Sequence, residues 1–487
     1  MSTEREPNRL LAARIAEAGV SNKGLAARVK TLARRDGHSI SPDHVSVRRW
    51  LDGTAPRGRT PDYIALALGA KLGRRVTPAD LGLAADTDAD VTHEVEIHRD
   101  CDPVEVSQHA WRNVRTHLIR HRAELASRAV QLYEPSWRLP QAPMLSQGSW
   151  LPDKPIALEN IKLEWEPSPP KPIVVGQEPE VRSLLPLRTR LQAFPGYSSA
   201  IRYLGRPDLF DNRPCYRLLS ASLSGQTEAH LRFCQSCFFD KIDICEALAH
   251  ELSAAVMNAT PSWSELPFRS LVSDPYDLVL RTVNTSITTL TIRRERASGQ
   301  ASLLLHRRDP AKVVTGGGEY SLVPSGEFQP ASVSPDSLLP DLDIWRNIVR
   351  EYSEELLGQP EHDGSSGRPL DYECWPFFRA MQKARERGEL RVYVLGVALN
   401  ALNLNATIVT VAVIDSIVFD SLFRELTRLN AEGEVVVHLG DDKERHGIAF
   451  DEATVNDLLH VERLVSPSAK AGLSLAWRHR KHLLEET

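Results

Sequence analysis

The sequence predicts a multidomain protein, an all-α N-terminal domain followed by an α/β (α+β) body, and three observations carry that prediction. The chain has 487 residues, 42% of them hydrophobic and 25% charged, a balance that builds folded domains and excludes a disordered or fibrous protein. Its charge is divided: residues 1–85 hold 15 Lys+Arg against 8 Asp+Glu, although the whole chain carries a formal −5. Apolar residues recur at helical spacing through those first 85 residues, whereas strand-like alternation dominates from about residue 214 onward. No run of 18 or more uncharged apolar residues occurs, and Met1 to Arg9 is polar and charged, so a cytoplasmic protein with no membrane contact is expected. Six cysteines (Cys101, Cys215, Cys234, Cys237, Cys245, Cys374) are too scattered for a disulfide scaffold, and reduced thiols are expected.

Five helices are expected in residues 1–85. Leu11, Ile15 and Ala18 form an apolar stripe that ends at Gly19. Ser21 is placed to cap a second helix carrying Leu25, Val29 and Leu32, which Gly37 stops. Ser41 then caps a third, with Pro42 at its first position and Val47, Trp50 and Leu51 pointing inward as far as Gly53. Thr60-Pro61 and Thr77-Pro78 repeat the cap-plus-proline start for two more. With Val47, Trp50 and Leu51 buried, the third helix turns Asp43, His44, Ser46, Arg48 and Arg49 outward, a set able to bond base edges and phosphates. Lys23, Arg57 and Arg59 flank it as candidates for holding a phosphate backbone.

Three segments, Ser21 to Val29 (SNKGLAARV), His44 to Gly53 (HVSVRRWLDG) and Pro56 to Leu68 (PRGRTPDYIALAL), resemble the Xre/Cro-type helix-turn-helix regulators, particularly an actinobacterial variety. The resemblance spans most of residues 8–83 and implies that the third helix is a recognition helix for the DNA major groove. The stretch from Ala33 to Pro42 is longer than in the shortest repressors of that kind.

Residues 86–106 turn acidic and read as a linker, and residues 107–265 as a middle region. A helix is expected from Ser107 to about Leu132, and then nine prolines between Pro135 and Pro172 predict extended, irregular chain. CYRLLSASLSG and HLRFCQSCFFD alternate like strands, followed by a helix at KIDICEALAHELS. Cys234 and Cys237 form a CxxC with no second ligand pair at finger-like spacing, and are read as buried strand cysteines rather than zinc ligands. His250, four residues after Glu246, is read as a satisfied or surface histidine.

Residues 266–487 make the last domain. TSITTLTIR and ASLLLHR read as a hairpin, YSLVPSGEFQ as a strand and loop, Asp341 to Leu356 as a helix, RVYVLGVAL and ATIVTVAVID as a strand pair, SIVFDSLFRELTRL as a helix, and Pro467 to His482 as a closing helix. Gly316-Gly317-Gly318 signals only a flexible turn. On WRNIVREYSEELLG, Trp345, Ile348, Tyr352 and Leu356 form the inward stripe, which gathers Glu351, Glu354 and Glu355 on one side. Clustered carboxylates of this kind suit Mg or Mn.

Arg350, Glu351, Glu354 and Glu355, preceded by VPSGEFQP, resemble the Nudix box, whose core reads Arg-Glu-x-x-Glu-Glu and then Gly. The strand-helix order from Leu278 to Arg480 follows that family. The box is degenerate: Leu342 stands where the family has Glu, Leu357 displaces the glycine to Gly358, and extra residues separate Gly326 from the helix. The resemblance implies Glu351, Glu354 and Glu355 as metal ligands and Arg350 as a salt bridge that holds the helix. Losing one box carboxylate weakens the case for catalysis. The reading that follows is a cytoplasmic, nucleoid-associated transcription regulator that binds double-stranded DNA as a homodimer. Its Nudix-like body senses a nucleotide-like ligand, with no required cofactor, no catalytic residue assigned and Mg the one metal considered. The alternatives are a metal-dependent nucleoside-diphosphate hydrolase tethered to a DNA-binding head, and a head that binds another protein.

Overall fold

The computed structural model describes residues 7–35, 40, 42–72, 76–83, 102–208, 210–225, 228–258, 262–308, 319–360, 369–424, 426, 433–436, 447–460 and 465–485. The chain divides into two compact units, residues 1–99 and 100–487. The acidic linker lies almost wholly outside the described residues, as do Gly37, Ser41, Cys101 and the Gly316 to Gly318 turn.

The first unit contains helices α1 (Arg9–Glu17), α2 (Asn22–Arg35), α3 (His44–Leu51) and α4 (Thr60–Leu72). Their stripes meet in one core that includes Leu11, Ile15, Leu25, Val29, Val47, Trp50, Ile64 and Leu68. Ser21 caps α2 as expected, its hydroxyl accepting the Gly24 N–H at 3.1 Å. Gly19 takes φ +60 just past α1, and Gly53 takes φ +88 just past α3. Two expectations are corrected. The fifth helix shrinks to a single 3-10 turn, Ala79–Leu81, capped at its start by the Thr77 and Asp80 side chains and ended by Gly82 at φ +63. The third helix starts from Asp43 rather than from Ser41-Pro42.

The second unit opens with α5 (Pro103–Arg120) and α6 (Arg122–Ala129), two helices broken at His121 where a single one is expected. The proline-rich segment is irregular but lays down β1 (Met144–Leu145), β2 (Ile156–Ala157) and β3 (Ile161–Trp165). Helix α7 (Tyr197–Leu204), strands β4 (Pro214–Ser222) and β5 (Ala229–Cys237) and helix α8 (Phe238–Asn258) follow. The two expected strands, β4 and β5, pair antiparallel, and β3 adds to β5 in parallel.

Next come β6 (Thr285–Arg294), β7 (Ala301–Leu303), β8 (Ser325–Glu327), α9 (Ile344–Leu357), α10 (Pro376–Glu386), β9 (Leu390–Asn400), β10 (Ala406–Asp415), α11 (Ser416–Leu422), β11 (Ile448–Ala449) and α12 (Pro467–Arg478). The curled eight-stranded sheet runs β1-β9-β10-β6-β7-β11, with β8 on β6 and β2 on β9. The β9–β10 and β6–β7 hairpins are antiparallel, and β10 lies parallel to β6 in continuous register from Ala406/Thr285 to Asp415/Arg294. Both faces are covered, so β10 is buried from Ala406 to Ile414: Ile408, Ala412 and Ile414 join the core that includes α9, whereas Val409, Val411 and Val413 join the core under α12. ASLLLHR does not stay in one sheet. After Leu303 it crosses to a small separate sheet, where Leu305–Arg308 pairs with Tyr320–Leu322 and Gly433–Val436.

The expected boundary near residue 265 is no division of this unit. Strands β1 and β2 from the proline-rich segment complete the main sheet, and one core holds Trp111, Tyr197, Leu248, Ile348 and Ile408 together. Helix α9 begins at Ile344 and not Asp341, α11 is described only to Leu422, and the closing helix breaks at His479 into α12 and Arg480–Leu484. Cys234 is buried and Cys237 half-buried at the end of β5, and the five described cysteines are free. His250 is buried and satisfied, its Nδ1 lying 2.9 Å from the Tyr197 hydroxyl.

Candidate nucleic-acid interface and the carboxylate helix

Helix α3 is short, so its start matters. Asp43 Oδ1 accepts the Ser46 N–H and the Ser46 hydroxyl, both at 2.8 Å, and the Ser46 hydroxyl oxygen accepts the Asp43 N–H at 3.4 Å. This reciprocal capping box satisfies donors that a helix N-terminus otherwise leaves to water. The two donations from Ser46 hold the Asp43 carboxyl below its ordinary range. Asp43 and Ser46 are thus committed to each other, which takes them out of the set of base readers read from the sequence.

Beyond the cap, Val47 and Trp50 join the core of the unit, where α3 packs on α1 and α2, while His44, Arg48 and Arg49 are exposed. Val45, overlooked in the sequence, is also exposed, at 40%. Val45 and Arg49 are four apart and lie one above the other on the side away from Val47, with Arg48 beside them. The missed signal is periodicity: position 45 is two before Val47, half a turn round the helix. Lys23 is exposed on the first turn of α2. Arg57 and Arg59 are exposed before α4, and their carbonyls accept the N–H groups of Thr60 and Tyr63, each at 3.3 Å, which fixes the chain entering that helix. The unit therefore presents one short helix with a polar, basic front and an apolar back, flanked by further cations.

In the second unit, Asp343 caps α9 by accepting the Arg346 N–H at 3.1 Å, and Gly358 ends it at φ +63. The inward stripe Trp345, Ile348, Tyr352 and Leu356 is buried as expected. Arg350 is also buried. It pairs with Asp341 at 3.6 Å and donates to the Tyr372 hydroxyl, the Gln329 carbonyl and Asn347 Oδ1. It thus fastens α9 to the segments before and after it. The three glutamates share one side of the helix at i, i+3 and i+4 but differ in burial. Glu355 is buried and accepts the Ser325 N–H at 3.3 Å, and Glu354 is half-buried. Glu351 lies against the backbone of Gly326, where a Cβ would come within 2.1 Å of its carboxylate. Among the described residues no three His, Cys, Asp or Glu side chains are grouped to hold a metal ion. Glu351, Glu354 and Glu355 therefore do not fit a shared magnesium, and no chemistry is derived through one. Glu327, beside Gly326, is engaged elsewhere, in a 2.6 Å ion pair with buried Lys241.

The two units define a helical, basic-faced head on an α/β body. Residues 11–84 match the family model described as SP15 N-terminal domain, a match confined to the head. No curated protein matches the chain. No helix among the described residues is long and apolar enough to cross a membrane.

Proposed function

We propose that this protein is a sequence-specific DNA-binding transcriptional regulator of the helix-turn-helix kind, acting as a homodimer, with a degenerate Nudix-like body that senses a nucleotide-like metabolite. The observation that carries the reading is the front of α3, where Arg48, Arg49 and His44 stand exposed on a helix held rigid by the Asp43–Ser46 cap and by buried Val47 and Trp50. A helix so mounted is the element that enters a major groove, and guanidinium groups are the side chains that read guanine edges bidentately. The body supports the second half of the proposal more coarsely. It has a glycine-bearing strand, Ser325–Glu327, followed after an intervening segment by helix α9 on one face of a mixed sheet, with a closing helix on the other. The burial of Glu355, with no three-ligand group among the described residues, favours binding over metal-assisted hydrolysis.

The test is to incubate full-length protein with fragmented DNA from its source genome, sequence what is retained, and run Arg48→Ala/Arg49→Ala alongside. Enrichment of a two-fold-related motif, lost in the variant, is expected. Each guanidinium–guanine pair is worth about 1–3 kcal/mol, so the variant should lose at least about tenfold in affinity. Retention of the same fragments by both proteins would remove α3 from the interface and the proposal with it.

A further inference from the structure

We infer that Val45 is a specificity-determining residue that reads the C5-methyl group of a thymine lying one or two base steps from a guanine read by Arg49. The inference rests on the DNA-binding reading of the head. Three features of α3 combine. Val45 is the second residue of the helix, and the N-terminal residues of a groove-bound helix are the ones that meet base edges. It is 40% exposed although apolar, while the polar neighbours Asp43 and Ser46 are spent on the cap. It also shares its face with Arg49, four residues on, so the pair is separated by about 6 Å along the helix axis. Base pairs rise about 3.4 Å per step, so two side chains about 6 Å apart reach positions one or two steps apart. Valine neither donates nor accepts a hydrogen bond. The only feature of the major-groove code it recognises is the thymine methyl, and burying that methyl against the isopropyl group excludes cytosine at the same place. Arg49 supplies the paired donors that guanine O6 and N7 accept.

The experiment uses the full chain and the tightest duplex recovered from the genomic selection. Each thymidine is replaced in turn by deoxyuridine, which removes the methyl and leaves base pairing intact. Wild type and Val45→Ala are titrated against every replacement. The expected result is one replacement per half-site, one or two steps from a guanine, that weakens wild-type binding about fourfold, the worth of one buried methyl-sized group. Val45→Ala, already lacking the contact, loses less than about 1.5-fold at that replacement, and Val45→Thr, which keeps a methyl, behaves like wild type. Equal losses in wild type and Val45→Ala at every replacement, or no loss at any, would overturn the inference while leaving the head a DNA-binding unit. Failure to recover any duplex would instead bring down the DNA-binding reading, and this inference with it. Because Val45 is exposed, the alanine variant folds, and an unchanged helical circular dichroism signal checks that.

Discussion

Glu246 is fully buried in α8, and its carboxylate accepts from Arg115 at 3.2 Å and from Arg122 at 2.8 Å. Two guanidinium groups share one carboxylate, so removing its charge strands both. Glu246→Gln is expected to destabilise the body by about 3–5 kcal/mol, seen as a shifted urea midpoint; a loss below about 1 kcal/mol would mean that water reaches the arginines. Beside this triad, burial and then Arg115 push the His250 imidazole down to about 3 from an ordinary 6.5. The sign follows from proton counting. Above about pH 6.5 the group is neutral folded or unfolded and contributes no pH dependence. As pH falls from 6.5 towards 3, only the unfolded chain takes up the proton, and stability drops by at most about 1.4 kcal/mol per pH unit. His250→Gln is therefore expected to narrow the difference in body stability between pH 7 and pH 5. The same pH difference in both proteins would show that His250 is not held neutral. None of this was readable beforehand. Glu246 and His250 stand four apart on a helix, but the arginines that bury Glu246 come from more than a hundred residues earlier.

At the scale of elements, periodicity gave away most of what is local. The stripes of α1 to α4, the Ser21 cap, the hairpins and the buried face of α9 all follow from spacing, because a 3.6-residue or two-residue repeat is imposed by the backbone itself. What spacing does not encode is competition. Asp43 rather than Ser41-Pro42 starts α3, Gly82 ends the last helix of the head after one turn, and a sheet crossing divides ASLLLHR. Strand β9 shows the same limit. RVYVLGVAL reads simply as a strand, yet a bulge between Val394 and Gly396 shifts the register, so Val392 and Val394 face the α9 side before it and Val397 and Leu399 after it. Gly396 adopts φ +152, and a Cβ there would stand 2.7 Å from Leu151 and 3.1 Å from the Trp150 carbonyl. Gly396→Ala is expected to cost on the order of 1–3 kcal/mol in body stability, and an unaltered denaturation curve would show that the bulge is not fixed by this residue. In α3, Asp43→Ala is expected to lower the melting temperature of the head while Asp43→Asn, still able to cap, lowers it less. Equal losses would mean that charge rather than the capping acceptor holds the helix start. The carboxylate helix was legible as a helix and its arginine as a tether, but the burial of Glu355 and the packing of Glu351 were not, since both depend on neighbours such as Ser325 and Gly326 that helical spacing does not include.

Over the whole molecule, the head's core is built from residues between Leu11 and Leu83, and the two cores of the body contain no described residue before Trp111. Calorimetry is accordingly expected to resolve two unfolding transitions, with Trp50→Ala moving one and Glu246→Gln the other; a single transition shifted by both would mean that the units unfold together. The charge division acts at this scale too. On the proposed function, phosphate contact falls to the basic first unit, so the logarithm of DNA affinity is expected to fall linearly with that of salt concentration. Arg57→Ala should reduce that slope by about 1, whereas an unchanged slope would remove Arg57 from the phosphate contacts. The parallel pairing of β6 with β10 has a kinetic side. It joins Thr285 to Ala406, and Ser146 reaches Val397 across 251 residues of chain, so the central sheet is assembled from its most distant parts. Contacts of such long range are slow to form, whereas every contact in the head's core is complete by residue 83. As the chain leaves the ribosome, the head is finished hundreds of residues before β10 exists, and translation arrested anywhere in that interval leaves a folded head attached to a body that has not yet acquired its centre.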